Sequence, residues 1–516
     1  MKINSQILKF SNSQILFAVF TWSVLILRFG YRFGTGDQVE LLPYTLFLHD
    51  STLYAGDFFI QGLSHSVPNE RSVMATLLLP FVNHLEIFCF IFHFLSVVIL
   101  VLGLERLARG FIRNQYFAWL SVLVTLIPLN DFTLGNVDLY SECFQAGSLA
   151  VAFVVWAIVL FLDKKYLLSA ALLSGATFIH LLEGLNVMMV LSLILFIAVL
   201  RKAVAWKTFI LFISIYAFTA AVYLFLILLQ KTSVMSISNE ELFRILFEFR
   251  HPHHFIFLSF PKLKMAVFFI LAIASMFFFW GHSRTLFQFT VIGITGILVY
   301  AFAVDGLHNT FIGNFQFYKV TQWIKFFGVV ACISIIEEAI NIQKDWLGRF
   351  RFSSATLVVF SLIFWIIILN FNEQLPYKVP FQIFGLKQHD DMISICEKIK
   401  TTTAKESVFI QPFENTELKY FAQRASYVEF KANVRNRKFV REWHHRIQQV
   451  YGVSEANAKK GFVLSGKAND QFYQLKTDKI EELKQQGVTH ILTRKEFPPS
   501  TGSLILSNSS YAVYQL

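Results

Sequence analysis

Two carboxylates stand three residues apart directly after the first apolar segment of the chain. They are Asp37 and Glu40, in the run GDQVE. Carboxylates at the mouth of a membrane span can bind a cation, accept a proton or orient a hydroxyl group, and crossing a bilayer requires none of these. We therefore predict that Asp37 and Glu40 are catalytic residues.

A second group of acids precedes the apolar segment that begins near residue 145. It comprises Asp131, Asp138 and Glu142. A second carboxylate near the first permits metal binding, or gives a base a partner. If a metal is bound, we expect Mg²⁺ or Mn²⁺ on Asp37, Asp138 and Glu142. The alternative is structural, because an acid at a helix N-terminus is favourable through the helix dipole alone.

One short run, RHPHH at positions 250–254, holds an arginine and three histidines. Arginine and histidine donate charge-assisted hydrogen bonds that suit phosphate, and the proline keeps the run out of a helix. Histidine clusters also bind metals, but the spacing offers no helical i, i+4 pair for zinc. We therefore predict that Arg250, His253 and His254 contact a phosphate or a substrate rather than zinc or bulk water.

Two further candidates for phosphate binding lie at the ends of apolar segments. His180 is followed three residues later by Glu183, on the same helix face if the helix continues. Lys319 lies at the start of the tenth predicted span and could pair with a lipid phosphate. The alternatives are an interfacial histidine whose hydrogen bonds are satisfied, and a lysine that snorkels to the headgroups.

Composition indicates that membrane helices position these residues. Of the 516 residues, 55% are hydrophobic and 15% are charged, and the mean hydropathy is +0.54. Continuous apolar runs of membrane-spanning length predict a polytopic α-helical membrane protein. We assign the net charge of +11 to cytoplasmic loops and a basic C-terminal domain, because no nucleic-acid motif accompanies it. The four cysteines form no CxxC pair, which argues against a disulfide scaffold.

The apolar runs predict about eleven transmembrane helices. They are placed near 14–29, 83–103, 115–130, 145–162, 166–182, 185–200, 207–229, 264–280, 286–303, 318–338 and 353–370. Lysine and arginine concentrate in alternate connections, which the positive-inside rule assigns to the cytoplasm. The N-terminus is then cytoplasmic, and the acidic and histidine-bearing loops share the outer face with the C-terminus. We expect the bacterial inner (plasma) membrane.

Composition changes after residue 371, which divides the chain into a transmembrane domain, 1–371, and an extracytoplasmic domain, 372–516. Short predicted strands, such as Ser407–Gln411 and Ser426–Phe430, alternate with helices such as Val440–Val450. This alternation predicts a small α/β domain. The domain has no Gly-rich phosphate loop and no nucleophile elbow, so we expect it to cap the membrane site or to grip an acceptor.

This arrangement resembles the GT-C superfamily of integral-membrane glycosyltransferases. The resemblance covers the architecture of nearly the whole chain: many spans, an acidic motif in the first outer loop and a soluble domain outside. The GDQVE run matches the position of that motif, and the RHPHH run with the segments GVTHIL and YAVYQL looks like a poorly characterised bacterial branch. Many members have adjacent acids in the first loop, whereas here Gln38 follows Asp37, which weakens a metal-dependent mechanism.

The resemblance implies transfer of a sugar from a polyprenyl-phosphate carrier to an extracytoplasmic acceptor, with Asp37 as base or metal-binding acid. Basic residues would steady the departing phosphate. Two other functions stay open. A transporter or flippase of lipid-linked sugars predicts ionisable groups in mid-span and related halves, whereas most charges lie at the outer boundary and no internal repeat is present. A non-catalytic envelope assembly protein would not call for long acidic and histidine-bearing loops.

Overall fold

The computed structural model describes residues 10–232, 237–342, 390–434 and 436–516. Up to residue 342 the described chain is helical, and the C-terminal part combines helices with a small sheet. The predicted span at 353–370 and the predicted domain boundary after residue 371 lie outside the described residues.

The helical part contains α-helices that we number α1 to α17. Their bounds are α1 Asn12–Phe29, α2 Gln38–His49, α3 Phe58–Ser64, α4 Ser72–Leu78, α5 Leu85–Ala108, α6 Gln115–Leu126, α7 Ala146–Leu162, α8 Tyr166–Ile179, α9 Leu181–Leu200, α10 Trp206–Tyr216, α11 Val222–Thr232, α12 Asn239–Leu242, α13 Pro252–Phe255, α14 Lys262–His282, α15 Arg284–Ala301, α16 Thr310–Gly313 and α17 Thr321–Ile342. Short 3₁₀ turns lie at Leu79–His84, Phe257–Ser259 and Phe317–Val320, and π-helical turns at Ala217–Ala221, Phe243–Arg250 and Phe302–Gly306.

Six helical segments of the described chain are long and apolar enough to cross a membrane. They are Asn12–Phe29, Ser72–Ala108, Leu181–Leu200, Trp206–Ile227, Lys262–His282 and Arg284–Gly306. Three more of the predicted spans correspond to shorter apolar helices, α6, α7 and α8. The predicted span at 318–338 is helix α17, in which Gln322, Lys325 and Glu337 interrupt the apolar sequence. The structure therefore fits a helical integral membrane protein, and it does not show eleven spans.

The helices pack closely enough to fix the loops at their ends. Helix α7 contacts both α5 and α8, and α17 packs against α14. At one contact the backbones nearly touch, because a Cβ atom on Gly328 of α17 would lie 2.3 Å from the carbonyl oxygen of Leu271 in α14. Only glycine permits this approach. The buried core continues into the C-terminal part, where Trp443 belongs to the same apolar cluster as Trp323.

The C-terminal part contains a five-stranded sheet with helices, as the predicted alternation of elements requires. The helices are α18 Asp391–Thr402, α19 Arg437–Tyr451, α20 Ser465–Tyr473 and α21 Thr477–Gln485, and the strands are β1 Val408–Ile410, β2 Ala425–Ser426, β3 His490–Arg494, β4 Ser503–Ser507 and β5 Tyr511–Gln515. The strand order is β2-β1-β3-β5-β4. Strand β1 is parallel to β2 and β3, and β5 is antiparallel to β3 and β4. Phe409 of β1 is in register with Ser426 and His490.

The predicted strand Ser426–Phe430 is wrong over most of its length. Only Ala425–Ser426 pairs in the sheet, and residues 427–434 leave it without regular structure. The indole of Trp443 donates to the carbonyl oxygen of Glu429 at 3.0 Å, which gives this segment a partner outside the sheet. We call residues 427–434 the bridging segment, because they connect the sheet of the C-terminal part with the loops of the helical part.

Buried hydrogen bonds fix the C-terminal part on the segment between α2 and α3. The hydroxyl of Tyr54 donates to the carbonyl oxygen of Lys419 at 2.6 Å, and the amide of Ser426 donates to Oδ2 of Asp57 at 2.9 Å. Oδ1 of Asp57 accepts from the amide of Ile60 at 2.9 Å and so caps α3. One carboxylate thus joins the start of a helix to the edge of the sheet.

Candidate functional site

The two acidic loops that follow α1 and α6, the histidine run and the bridging segment enclose one cavity of about 630 Å³. Every residue that the sequence singled out as a site candidate lines this cavity: Asp37, Glu40, Asp131, Asp138, Glu142, His180, Arg250, His253, His254 and Lys319. The structure therefore brings together side chains from separate loops. The catalytic and binding roles assigned to them stay predictions.

Asp37 reaches the cavity because the backbone turns sharply before it. Gly36 has a φ of +58°, and a Cβ atom there would lie 2.4 Å from Nε2 of Gln145 and 2.8 Å from Sγ of Cys143. Glycine has no Cβ atom and adopts positive φ at little cost. The glycine beside Asp37 therefore allows the first acidic loop to pass close to the second.

Gln38 connects these two loops. It stands at the position where many members of the superfamily that the sequence resembles have an acid adjacent to the first one. Its Oε1 accepts from the amide of Gly34 at 2.7 Å, and its Nε2 donates to the carbonyl oxygen of Phe144 at 3.0 Å. The amide of Arg32 also donates to the carbonyl oxygen of Glu142 at 2.9 Å. Gln38 is therefore a structural residue whose amide group serves both as acceptor and as donor.

Asp37 is surrounded by cationic side chains. Its Oδ1 lies 3.9 Å from Nζ of Lys431, and its side chain is 50% exposed. Burial acts to raise the pKa of Asp37, but Lys431, Arg71, His180 and Lys319 outweigh it and lower the pKa to about 2. A carboxylate with this pKa is ionised at neutral pH and accepts a proton poorly. The lowered pKa suits Asp37 better to orient a hydroxyl than to serve as the base that the resemblance implies.

Glu40 is buried and forms an ion pair with Arg71. Nη1 of Arg71 also lies 3.6 Å from Oε1 of Glu70, and its guanidinium lies 6.0 Å from the ring centre of Phe59. The charge of Glu40 is thus matched within the protein. Glu40 therefore holds the guanidinium group of Arg71 at the cavity wall.

Asp138 differs from Asp37 in having a buried oxygen without a hydrogen-bond partner among the described residues, Oδ1. Burial raises the pKa of Asp138, and the carboxylate of Asp131 raises it further against the opposing charge of Lys325. A raised pKa brings a carboxyl group closer to the range in which proton transfer is efficient. Asp138 is therefore the acid of this cavity that is best suited to act as a base, while Asp131 is exposed.

Glu142 lies at the rim, where its Oε2 is 3.6 Å from Nε of Arg32 and both side chains are partly exposed. Within the described chain, Asp37, Asp138 and Glu142 do not form a group of ligands close enough to share one ion. Each of the three acids instead has a different cationic neighbour. Mg²⁺ or Mn²⁺ on these acids stays a prediction without a converged ligand set.

Lys319 is paired within the protein. Its Nζ lies 2.7 Å from Oε1 of Glu183, whose Oε2 accepts from Nε2 of Gln322 at 2.6 Å. Burial, with the charge of Lys319, lowers the pKa of His180 to about 4. At these two predicted phosphate-binding positions, the charge of Lys319 is balanced by Glu183 and the imidazole of His180 is neutral.

Arg250 is almost fully buried, with 2% of its surface exposed. Its guanidinium lies 4.5 Å from the ring centre of Phe430 and 4.8 Å from that of Phe462, and Nη2 donates to the carbonyl oxygen of Lys431 at 2.8 Å. Cation–π contacts of this kind stabilise a desolvated guanidinium. Arg250 lines the cavity and at the same time holds the bridging segment, which the sequence did not predict.

The three histidines of the run lie closer together than their spacing in the sequence indicated. His251 precedes the one-turn helix α13, and His253 and His254 lie within it. Pro252 begins this helical turn instead of keeping the run out of a helix, and ligand nitrogens of all three histidines lie within 4.8 Å of one another without an i, i+4 pair. His251 is the member of this cluster that the site prediction left out.

Further cavity residues escaped the sequence analysis, among them Arg71 and Lys431. Arg71 lies in the connection predicted to be the first outer loop, and the excess of acids in that loop is a sequence signal for a cationic partner. Lys431 follows a segment that was predicted to be a strand, and no local pattern marks it. Its position depends on the bridging segment leaving the sheet.

Comparison with known families gives one match, to "Domain of unknown function (DUF6798)", at residues 390–450. The matched stretch includes the bridging segment and therefore Lys431, but it covers a small part of the 516 residues. No curated protein matches this chain.

Proposed function

We propose that this protein is a GT-C-type membrane glycosyltransferase that moves a sugar from a polyprenyl-phosphate carrier to an extracytoplasmic glycan, lipid or protein. One observation supports the proposal above others: acids and cations from separate loops line a single cavity together with the C-terminal part. Transfer of a sugar from a phosphate needs a base at the attacking hydroxyl and positive charge at the leaving group.

Asp138 and Asp37 have different roles at the acceptor hydroxyl. Asp138, with its partner-free Oδ1 and raised pKa, removes the proton from the attacking hydroxyl. Asp37 stays ionised beside Lys431 and orients that hydroxyl. Environments that push two carboxyl pKa values apart are the usual means by which one site assigns different roles to similar groups.

The departing phosphate is stabilised by cations of the same cavity. Lys431 is the best placed, because its pair with Asp37 is long and partly exposed and a phosphate can replace it. Arg250 adds positive charge at the cavity wall, whereas Arg71 contributes less because it is paired with Glu40. Lys319 contributes less, since Glu183 compensates it.

A lipid-borne donor accounts for the position of the cavity beside apolar helices. The wall includes Ile179–Glu183, where α9, one of the candidate spans, begins. A helix N-terminus favours an anionic group, so a phosphate can lie here while its polyprenyl chain stays in the bilayer. The proposal places the N-terminus in the cytoplasm and the cavity outside the bacterial inner membrane.

The test uses membranes that contain the full chain and radiolabelled polyprenyl-phosphate sugars. Wild type is compared with Asp37→Ala and Asp138→Asn, and Asp470→Asn, which changes an exposed acid of α20, is the matched control. We expect both cavity variants to lose about 100-fold or more in transfer rate, and the control to keep it.

Folded cavity variants that still transfer sugar at the wild-type rate would contradict the assignment of these acids. Movement of labelled lipid between leaflets without sugar transfer would favour the flippase. Absence of both activities in wild type, with every donor tested, would favour the assembly protein.

A further inference from the structure

We propose that His251, His253 and His254 bind a divalent transition-metal ion of the zinc type, with an open coordination position toward the cavity. One ligand nitrogen from each ring lies within 4.8 Å of the other two, and all three residues line the cavity. Three imidazoles with one exchangeable ligand are a known zinc-binding set. This site goes beyond the proposed sugar transfer, and it does not depend on it.

His254 has the hydrogen bond that a metal-binding histidine needs. Its Nδ1 lies 2.7 Å from the carbonyl oxygen of Gly135. A carbonyl only accepts, so Nδ1 carries the proton and the lone pair of the neutral ring is on Nε2. Metal-binding histidines almost always donate their other ring N–H in this way, which fixes the tautomer and the ring orientation.

His251 contacts the bridging segment through Asn433, whose Nδ2 lies 3.2 Å from Nε2 of His251, and Nη1 of Arg250 lies 3.4 Å from its Nδ1. A half-turn of the Asn433 amide presents its oxygen to an Nε2–H donor, and Nδ1 can then bind a metal. A bond at Nδ1 replaces the Arg250 contact, and Arg250 keeps its hydrogen bond to the carbonyl oxygen of Lys431.

His253 completes the cluster by its position. Its ring centre lies 4.2 Å from that of His254 and 6.1 Å from that of His251. An imidazole coordinates a metal through a ring nitrogen in its neutral form.

Small side-chain movements would complete the site. Zinc–nitrogen bonds of about 2.0–2.1 Å in a tetrahedron place the ligand nitrogens about 3.3 Å apart. Nitrogens that already lie within 4.8 Å of one another need shifts on the order of 1 Å. Because Arg250 and Lys431 are close, we expect the fourth ligand to be an anion such as hydroxide or phosphate. Imidazole ligands select zinc and similar ions over Mg²⁺.

The test measures metal content and not sugar transfer. Full-length protein in detergent is exposed to excess zinc, desalted and analysed for bound metal. We expect about one zinc per wild-type chain, and at least a tenfold loss in His253→Gln and in His254→Gln, since even indirect partners of a metal are worth about 10–100-fold in affinity. His445→Gln, which changes an exposed histidine of α19, is the matched control and should retain the ion.

Two further variants test whether a loss of zinc comes from misfolding and whether the ion binds at a different site. Asn433→Ala removes no ligand and should weaken zinc retention less than His253→Gln. The double variant Asp37→Asn/Asp138→Asn should retain zinc fully, because the acids are not ligands.

Equal zinc in wild type and His253→Gln would overturn the proposal. Loss of zinc in the acid variant with retention in the histidine variants would also overturn it, by placing the ion on the carboxylates. Neither result bears on sugar transfer, so the two proposals can fail separately.

Discussion

Two lysine–carboxylate pairs involving the C-terminal part differ in how far water reaches them. Nζ of Lys419 lies 2.8 Å from Oε2 of Glu429, and the two side chains are 0% and 2% exposed. Nζ of Lys431 lies 3.9 Å from Oδ1 of Asp37, with exposures of 27% and 50%. Glu429 and Lys431 are two positions apart in the bridging segment. We call the buried Lys419–Glu429 pair the closed pair and the partly exposed Lys431–Asp37 pair the open pair.

The closed pair is embedded in further contacts. Oε1 of Glu429 accepts from Nε2 of Gln411 and from Oγ of Ser426, each at 3.1 Å. Nζ of Lys419 lies 4.6 Å from the ring centre of Phe59, a residue of the helical part. Hydrogen bonds and cation–π contacts offset the cost of burying the charges. The closed pair secures the C-terminal part, while the open pair keeps its charges within reach of a ligand.

Breaking the closed pair should have the largest effect on stability. Lys419→Met leaves the carboxylate of Glu429 buried without its cation, and we expect the free energy of unfolding to fall by about 3–5 kcal/mol. Denaturant unfolding in detergent, followed by tryptophan fluorescence, measures this. Lys405→Met, which breaks an exposed pair with Asp50, is the control and should cost less than about 1 kcal/mol.

Replacing both members of the closed pair tests whether the loss comes from an unpaired charge. In Lys419→Met/Glu429→Met no charge remains buried at this position, and apolar replacements of buried pairs are often nearly neutral. We expect the double variant to recover at least about half of the 3–5 kcal/mol lost in Lys419→Met. A double variant as unstable as the single one would show that the hydrogen bonds to Gln411 and Ser426 matter more than the pair.

Breaking the open pair should change activity more than stability. Lys431→Met should lower the free energy of unfolding by less than about 1 kcal/mol, because the pair is partly exposed. Under the proposed function, the sugar-transfer rate at low donor concentration should fall about tenfold, which corresponds to about 1.4 kcal/mol. A loss of stability as large as that of Lys419→Met would remove the distinction between the two pairs.

The smallest expected effect is a shift in the pKa of Asp138 when a neighbouring negative charge is removed. Burial and the carboxylate of Asp131 both raise the pKa of Asp138. If Asp138 is the base, transfer is lost as the pH falls through this raised pKa. Asp131→Asn removes a like charge and lowers the pKa, so the acid limb of the pH–rate profile should move to lower pH, by less than about one unit. An unchanged or higher limb, or an equal shift in Asp470→Asn, would contradict this role.

Much of the helical part follows from local sequence. Segments such as 185–200 and 264–280 were predicted from length and hydropathy, and the structure has α9 and α14 there. The strand predicted at 407–411 is also present as β1. The prediction failed for Ser426–Phe430, whose β-type composition was overridden by contacts with Trp443 and Arg250 outside the sheet. Such contacts join residues far apart in the sequence, and no local pattern records them.

The sequence by itself determined that this chain is helical, rich in membrane-spanning segments and equipped with acids, histidines and cations in its loops. Hydropathy and periodicity are local properties, which is why they could be read without a structure. Only the tertiary structure decided that these loops share one cavity, that the pKa of Asp37 is lowered while that of Asp138 is raised, and that the three histidines converge. Those outcomes depend on burial and on contacts such as Gln38 with Phe144, His254 with Gly135 and Arg250 with Lys431. Each contact joins positions more than a hundred residues apart, where local patterns carry no information.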